Sequence, residues 1–400
     1  MIKRNISSFI KKYSSQYPVI AIVGPRQSGK TTLSRSLFPG YKYLSLENLD
    51  LRRRASDDPR GFLDDYGANL ILDEIQRAPE LFSYLQERVD FADKPAQYVV
   101  TGSQQFLLME SVTQSLAGRI ILARLYPFTL NELWEDVRDT DTESIFKLKI
   151  KRASPPPSKI DQILFSGMYP RIHDKKLDPV KWIENYILTY IERDIRSLVN
   201  VDNLRLFENF IKVCASNSGQ VLNYASISGS TGVSQPTVKK WISLLETSGI
   251  LFLLPPHHAN FRKRVIKTPK LYFIDTGVLC FLLAIRKPDE LTGHPLYGNI
   301  FETFIISELY KRISHTGEIP PLYFWRDKTG NEIDLLVDFG SKLYPVEIKS
   351  SKTFNKDFTS GIRKWFDLPG NENSSGLVIY GGDEVAGKSS SIATVPWWYL

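Results

Sequence analysis

Gly24-Pro-Arg-Gln-Ser-Gly-Lys30-Thr31 stands directly behind the apolar run Val19 to Val23 and ahead of a helix-competent stretch, and it constrains the chain more than any other feature. It fits Gly-x4-Gly-Lys-Ser/Thr, which in a strand-turn-helix context leaves few folds open. The glycines let the backbone curl so that successive amides face a phosphate, and the new helix turns its positive end toward the same anion. Gly24, Pro25, Arg26, Gln27, Ser28, Gly29, Lys30, Thr31 and the adjoining Thr32 are therefore the expected cradle for ATP. Lys30 is expected to reach the β- and γ-phosphates. Thr31 is expected to put its hydroxyl on Mg²⁺, which keeps most of its water and takes few protein oxygens.

Apolar runs at 19–23, 41–46, 69–72 and 97–101 alternate with helical stretches through residues 1–150. That rhythm predicts an α/β domain with a mainly parallel sheet. Asn69-Leu-Ile-Leu-Asp73-Glu74 ends a buried strand in two acids, at the carboxyl end where open parallel sheets bind ligands. Asp73 is expected to hold Mg²⁺ through water, and Glu74 to polarise the water that attacks the γ-phosphate. The strand at 97–101 runs into Gly102-Ser103-Gln104, so Ser103 is placed to sense the γ-phosphate. Arg119, in Leu116-Ala-Gly-Arg119, is a candidate for stabilising transition-state charge, in cis or from a neighbouring subunit, which leaves a homo-oligomer open. Arg124 is the alternative, and a plain surface arginine the third reading.

At 400 residues the chain is expected to form several domains. Met1 to Lys12 is basic and amphipathic and lacks the continuous apolar stretch of a signal peptide, and no run approaches 18 uncharged apolar residues, so a cytoplasmic protein without a membrane partner is expected. Two cysteines without paired spacing argue against a disulfide framework or a zinc site, and His257-His258 reads as a surface loop. A net charge of +7 permits a nucleic-acid partner without requiring one.

The prolines of Ser154 to Ser158 close the first domain, and residues 151–203 read as a helical linker. In 204–290, Ser234 is placed to cap a helix from Gln235 to Thr247, with Pro236 early and Gly249 closing it. This is a winged-helix pattern, with Thr237, Lys239 and Lys240 near the start of the second helix and Arg262, Lys263, Arg264 and Lys267 in the wing. The cations suit DNA phosphates, and they equally suit a solvated loop on an interdomain module.

In 291–400, Gly340-Ser341 is a two-residue hairpin turn with glycine first. It puts Asp334 opposite Glu347 and Glu332 opposite Lys349, and gathers Ile333, Leu335, Val337, Tyr344, Val346 and Ile348 on one apolar face. Directly opposed carboxylates repel, and a divalent cation between them removes the repulsion. Asp334, Glu347-Ile-Lys349 and Glu302 resemble the PD-(D/E)xK core of restriction-endonuclease-like α/β domains. That resemblance implies a second Mg²⁺ or Mn²⁺ on Glu302, Asp334 and Glu347, with Lys349 acting on the attacking water.

Taken together, Gly24 to Thr32, Leu72-Asp-Glu-Ile-Gln-Arg77, Val100-Thr-Gly-Ser103, Leu116 to Arg119 and Pro127-Phe-Thr-Leu-Asn-Glu132 resemble successive blocks of a bacterial and archaeal AAA-type ATP-binding family. The resemblance spans nearly the whole chain and implies an AAA-like core, a winged-helix-like middle and a C-terminal domain of unresolved function. The leading expectation is a Mg²⁺-dependent ATPase coupled to a DNA-binding, nuclease-like module. The alternatives are a regulatory ATP switch with a non-catalytic nucleic-acid-binding domain and a protein-remodelling ATPase.

Overall fold

A computed structural model describes residues 2–92, 94–103, 115–134, 146, 156–191, 204–257, 268–340, 342–371, 375–385, 387–388 and 391–400. The wing cations Arg262, Lys263, Arg264 and Lys267, together with Gln104 and His258, lie outside these residues. Contacts divide the chain into two compact units: Met1–Phe128 with Thr247–Gly249 and Ile313–Glu318, and Thr129–Glu246 with Ile250–Arg312 and Ile319–Leu400.

The first unit runs α1 (Ile6–Tyr13), β1 (Val19–Val23), α2 (Lys30–Leu37), β2 (Lys42–Ser45), α3 (Leu49–Asp57), α4 (Pro59–Tyr66), β3 (Leu70–Asp73), α5 (Leu81–Ala92), β4 (Tyr98–Gly102) and β5 (Ile120–Arg124). The five strands form a sheet in the order β2-β3-β4-β1-β5, every pairing parallel. All five residues of β1 are buried. Val19, Ala21 and Val23 enter one core and Ile20 and Ile22 the other, as a parallel sheet covered on both faces requires. Four strands match the sequence expectation to within a residue or two. β5 was not anticipated, although Ile120-Ile-Leu-Ala123 is an apolar run of strand length.

The second unit begins with α6 (Leu130–Leu133), α7 (Ile160–Ser166), α8 (Pro170–Asp174) and α9 (Pro179–Tyr186), the last running into a π-helical turn, Ile187–Ile191. Then follow α10 (Leu204–Ser216), α11 (Tyr224–Thr231), α12 (Gln235–Thr247), β6 (Leu251–Leu254), β7 (Lys270–Phe273), α13 (Thr276–Leu282), α14 (Tyr297–Ser314), β8 (Leu322–Arg326), β9 (Glu332–Asp338), β10 (Leu343–Lys349), α15 (Ser360–Phe366), β11 (Gly376–Tyr380), β12 (Gly387–Lys388) and β13 (Ile392–Pro396). β6 and β7 pair antiparallel, and Val221, between α10 and α11, bridges to Lys270. The remaining strands form a six-stranded mixed sheet in the order β12-β13-β11-β10-β9-β8.

The predicted hairpin register holds at its closed end: Asp338 faces Leu343, Val337 faces Tyr344, Leu336 faces Pro345 and Leu335 faces Val346. Gly340 takes φ +79°, the conformation its turn position demands. Beyond Leu335 the expected face fails. Against β8 the pairing steps from Tyr323 with Leu336 to Trp325 with Ile333, so Asp334 and Leu335 together oppose Phe324. This is a β-bulge, and it inverts the alternation. Ile333 therefore packs with Leu336, Ile362, Trp365, Val378 and Ile392 rather than with Leu335 and Val337. His257 also departs from expectation. Instead of lying in a surface loop it is buried, edge-on to Tyr323 with 5.4 Å between centroids, and its Nε2 is 3.5 Å from the Asp338 carboxylate.

Candidate functional site

The loop between β1 and α2 is shaped by its glycines. Gly24 has φ +149°, and a Cβ there would collide with the Leu125 carbonyl oxygen, so neither the conformation nor the space admits a side chain. Gly29, at φ +96°, turns the chain into α2. Gln27 is also left-handed, at φ +62°, and exposed, whereas Pro25 and Ser28 are buried and Thr32 faces solvent. Arg26 is half-buried. Lys30 is buried and folds back over the loop, its ammonium donating to the Gly24 and Pro25 carbonyls at 3.0 and 2.9 Å. Burial draws its pKa down, and the charges of Glu74 and Asp73 oppose that drift.

The sheet brings Asp73 and Glu74 to the same end. The Thr31 hydroxyl donates to both Asp73 oxygens at 3.2 Å each. A hydroxyl and a carboxylate held together behind a P-loop are hard oxygen donors, so the residues fit Mg²⁺. Thr31 and Asp73 would hold it, and the ion would supply charge neutralisation at the phosphates. Glu74 sits at φ +56°, left-handed for a non-glycine residue. Its Oε2 accepts from the Ser103 hydroxyl at 2.8 Å, from the Ser103 amide at 3.4 Å and from Gln76. Burial alone would raise the Glu74 pKa, but Lys30, Ser103, Gln76 and Arg26 outweigh it and hold the carboxyl below its ordinary range. Ser103 thus touches Glu74 directly.

Arg119 does not join this group. Its carbonyl pairs with the Val19 amide at 3.2 Å, at the start of β1, while Arg124 is the residue beside Val23. Five residues at about 3.3 Å each separate it from the P-loop end of the sheet, roughly 16 Å. Its guanidinium is paired with Asp90, with Nη2 2.9 Å from Oδ2. The in cis role is therefore corrected: no side chain spans that distance.

Three contributors escaped the sequence reading. Arg4 is buried, donates to the Ser28 carbonyl at 2.8 Å and to the Tyr126 carbonyl at 2.6 Å, and lies 4.9 Å over the Phe128 ring. Tyr43 donates to Asp73 Oδ2 at 2.6 Å, and Thr101 donates to Oδ1. A basic N-terminus carries no such signal. Tyr43 and Thr101 could have been found only by counting which strand residues flank Asp73.

In the second unit, Asp334, Glu347 and Lys349 come together. Asp334 Oδ2 accepts from the Ile348 amide at 2.8 Å, and Lys349 Nζ lies 2.5 Å from Glu347 and 3.4 Å from Asp334. Burial and the Asp334 charge push the Glu347 pKa up to about 8, with Lys349 pulling the other way. Glu302 has its own hydrogen-bond partners, its Oε1 accepting from the Tyr272 hydroxyl at 2.5 Å and pairing with Lys270 at 3.3 Å while Lys270 also reaches Glu332 at 2.5 Å, yet it lies in the field of Asp334: burial and then that charge push its pKa up to about 7. Among the described residues no group of three carboxylate, imidazole or thiol side chains is arranged to hold a metal. The opposed carboxylates share one cation, since Lys349 pairs with both Asp334 and Glu347.

A parallel sheet with a P-loop behind an inner strand and an acid pair at the end of β3 defines a P-loop nucleotide-binding protein. The AAA domain matches residues 16–134, which makes it AAA-type. Domains of unknown function, DUF8612 and DUF4143, match residues 157–289 and 297–400. The chain is 30% identical over 399 residues to an uncharacterized protein of Mycobacterium tuberculosis and to one of Mycobacterium bovis, covering 98% of itself and 83% of each. It belongs to their family. A Walker-type ATPase of Pyrococcus abyssi aligns with 70% of this chain and 94% of its own, at 13% identity and a TM-score of 0.43. AMPPCP-bound DnaA from Aquifex aeolicus aligns with 60% and 85%, at 16% identity and 0.30. Both are too distant to bear on what this chain does. No helix among the described residues is long and apolar enough to cross a membrane.

Proposed function

We propose that the protein hydrolyses ATP with Mg²⁺ and that its nucleotide state governs a DNA-directed second unit. The observation that carries the hydrolytic part is the convergence, at one end of the sheet, of Lys30 on the P-loop carbonyls, Thr31 on Asp73, and an ionised Glu74 braced by Ser103. In this reading Lys30 binds the β- and γ-phosphates, and Glu74 takes the proton of the attacking water, whose oxygen displaces ADP from the γ-phosphorus. The P-loop amides and the start of α2 hold the remaining phosphate charge.

The DNA-directed part draws support from α10, α11 and α12 followed by the β6–β7 pair with its Val221 bridge, the order of elements in a winged helix. Lys239 and Lys240 are exposed early in α12. The meeting of Asp334, Glu347 and Lys349 on a mixed sheet supports a nuclease-like domain. The neutralising contacts of Lys270 and Lys349 favour the second reading, in which that domain holds nucleic acid without cutting it. Phosphate release measured with and without duplex DNA, with the DNA followed for cleavage in Mn²⁺, separates these readings. ATP turnover is expected under both of these readings, and DNA stimulation without cleavage selects the second. Absence of turnover with ATP bound would leave a switch, and DNA-independent turnover with no DNA binding would leave a protein-directed ATPase.

A further inference from the structure

β3 lies between β2 and β4, and each neighbour sends one hydroxyl to the carboxylate at its end. Ser45 of β2 is the ladder partner of Asp73. Tyr43 stands two residues earlier, hence on the same face as Ser45, and its long ring reaches along the strand to Oδ2 at 2.6 Å. Thr101, wholly buried in β4, serves Oδ1. Thr31 is spread over both oxygens at 3.2 Å, longer contacts and so weaker ones. Thr31 is the hydroxyl that a P-loop lends to the metal ion, whereas Tyr43 and Thr101 belong to no part of that motif.

We propose that Tyr43 is a positioning residue for Mg²⁺, fixing the rotation of the Asp73 carboxylate from the side opposite Thr101. The inference rests on the Mg²⁺-ATP reading above. A carboxylate turns freely about its Cβ–Cγ bond, and one donor on each oxygen sets its plane. Without the phenol, Oδ2 keeps among the described residues only the longer contact from Thr31, and the plane of the carboxylate is less tightly set. The ring is itself fixed, because the Arg35 guanidinium lies 5.2 Å from its centroid.

The test is a fluorescent ATP analogue titrated against wild type and Tyr43→Phe in EDTA, followed by a Mg²⁺ titration at fixed analogue. Removing an outer partner of a metal-binding carboxylate typically costs about 10–100-fold in metal affinity, so the Mg²⁺ half-saturation point is expected to rise at least about tenfold. Metal-free analogue affinity and the thermal midpoint are expected to stay at wild-type values. In an Asp73→Asn background the tyrosine substitution is expected to add nothing, since the coupling runs through that carboxylate. Unchanged Mg²⁺ dependence, an equal shift in the Asp73→Asn background, or a loss confined to metal-free binding each overturns the proposal. Should Tyr43→Phe fold poorly, Thr101→Val carries the same expectation through Oδ1. Wild-type binding indifferent to Mg²⁺ would instead sink the Mg²⁺-ATP reading itself.

Discussion

Replacing Glu74 by glutamine separates binding from turnover. Oε2 accepts from the Ser103 hydroxyl, the Ser103 amide and Gln76, and an amide oxygen can accept all three, so the side chain keeps its place. What disappears is the charge and the basicity. A positioned proton acceptor contributes about 10²–10⁴ in rate, or roughly 2.7–5.4 kcal/mol of barrier, and that is the expected loss of turnover. ATP affinity should survive, because Lys30, Thr31 and Asp73 are untouched and Lys30 no longer shares its charge with Glu74. The wild-type carboxyl lies below its ordinary 4.5, so the acid limb of the rate profile belongs below that pH and should vanish in the variant. The sign for stability follows: a depressed carboxyl contributes above its unfolded value, and the contribution is lost as pH falls through the depressed one. Analogue binding and phosphate release are measured on one preparation from pH 7 downward. Wild-type turnover in Glu74→Gln with ATP bound would refute the role.

Gly24→Ala forces a side chain into a left-handed position against the Leu125 carbonyl; it should lose roughly 2–4 kcal/mol in urea unfolding and nucleotide binding with it, and an unchanged midpoint would contradict the strain. Lys270→Met removes the cation that Glu302 and Glu332 share, leaving Glu332 with Arg326 at 3.9 Å. The expected cost is about 2–3 kcal/mol, short of the fully buried case because 28% of the Glu332 side chain remains in water, and a wild-type melting temperature would argue against the pairing. Glu347, raised to about 8 by burial and by Asp334, gives a contribution to stability that is complete below its unfolded value of 4.5 and declines as pH rises through about 8. In EDTA, Glu347→Gln should flatten that decline, and parallel stability curves for the two proteins would count against it.

Local chemistry made much of the nucleotide site legible. Phosphate binding needs glycines, a lysine and a hydroxyl at fixed spacing, and an acid pair at a strand end needs only a short apolar run before it, so Gly24 to Thr31, Asp73 and Glu74 could be read from neighbours in the chain. The closed end of the β9–β10 hairpin was legible for the same reason, since a two-residue turn fixes the register of the strands it joins. The bulge at Asp334 was not, because it arises from pairing with β8 rather than with β10.

What the sequence determined by itself is therefore the set of residues whose partners lie within a turn or a single motif. Tertiary structure decided the remainder: strand order put Tyr43 and Thr101 on either side of Asp73, the parallel register carried Arg119 to the far edge of the sheet, and the approach of β7 to α14 gave Glu302 to Lys270 and Tyr272. The physical reason is that a hydrogen bond or ion pair depends on separation in space. For side chains 30 residues apart, as Tyr43 and Asp73 are, that separation is set by how the strands pack and not by any spacing along the chain.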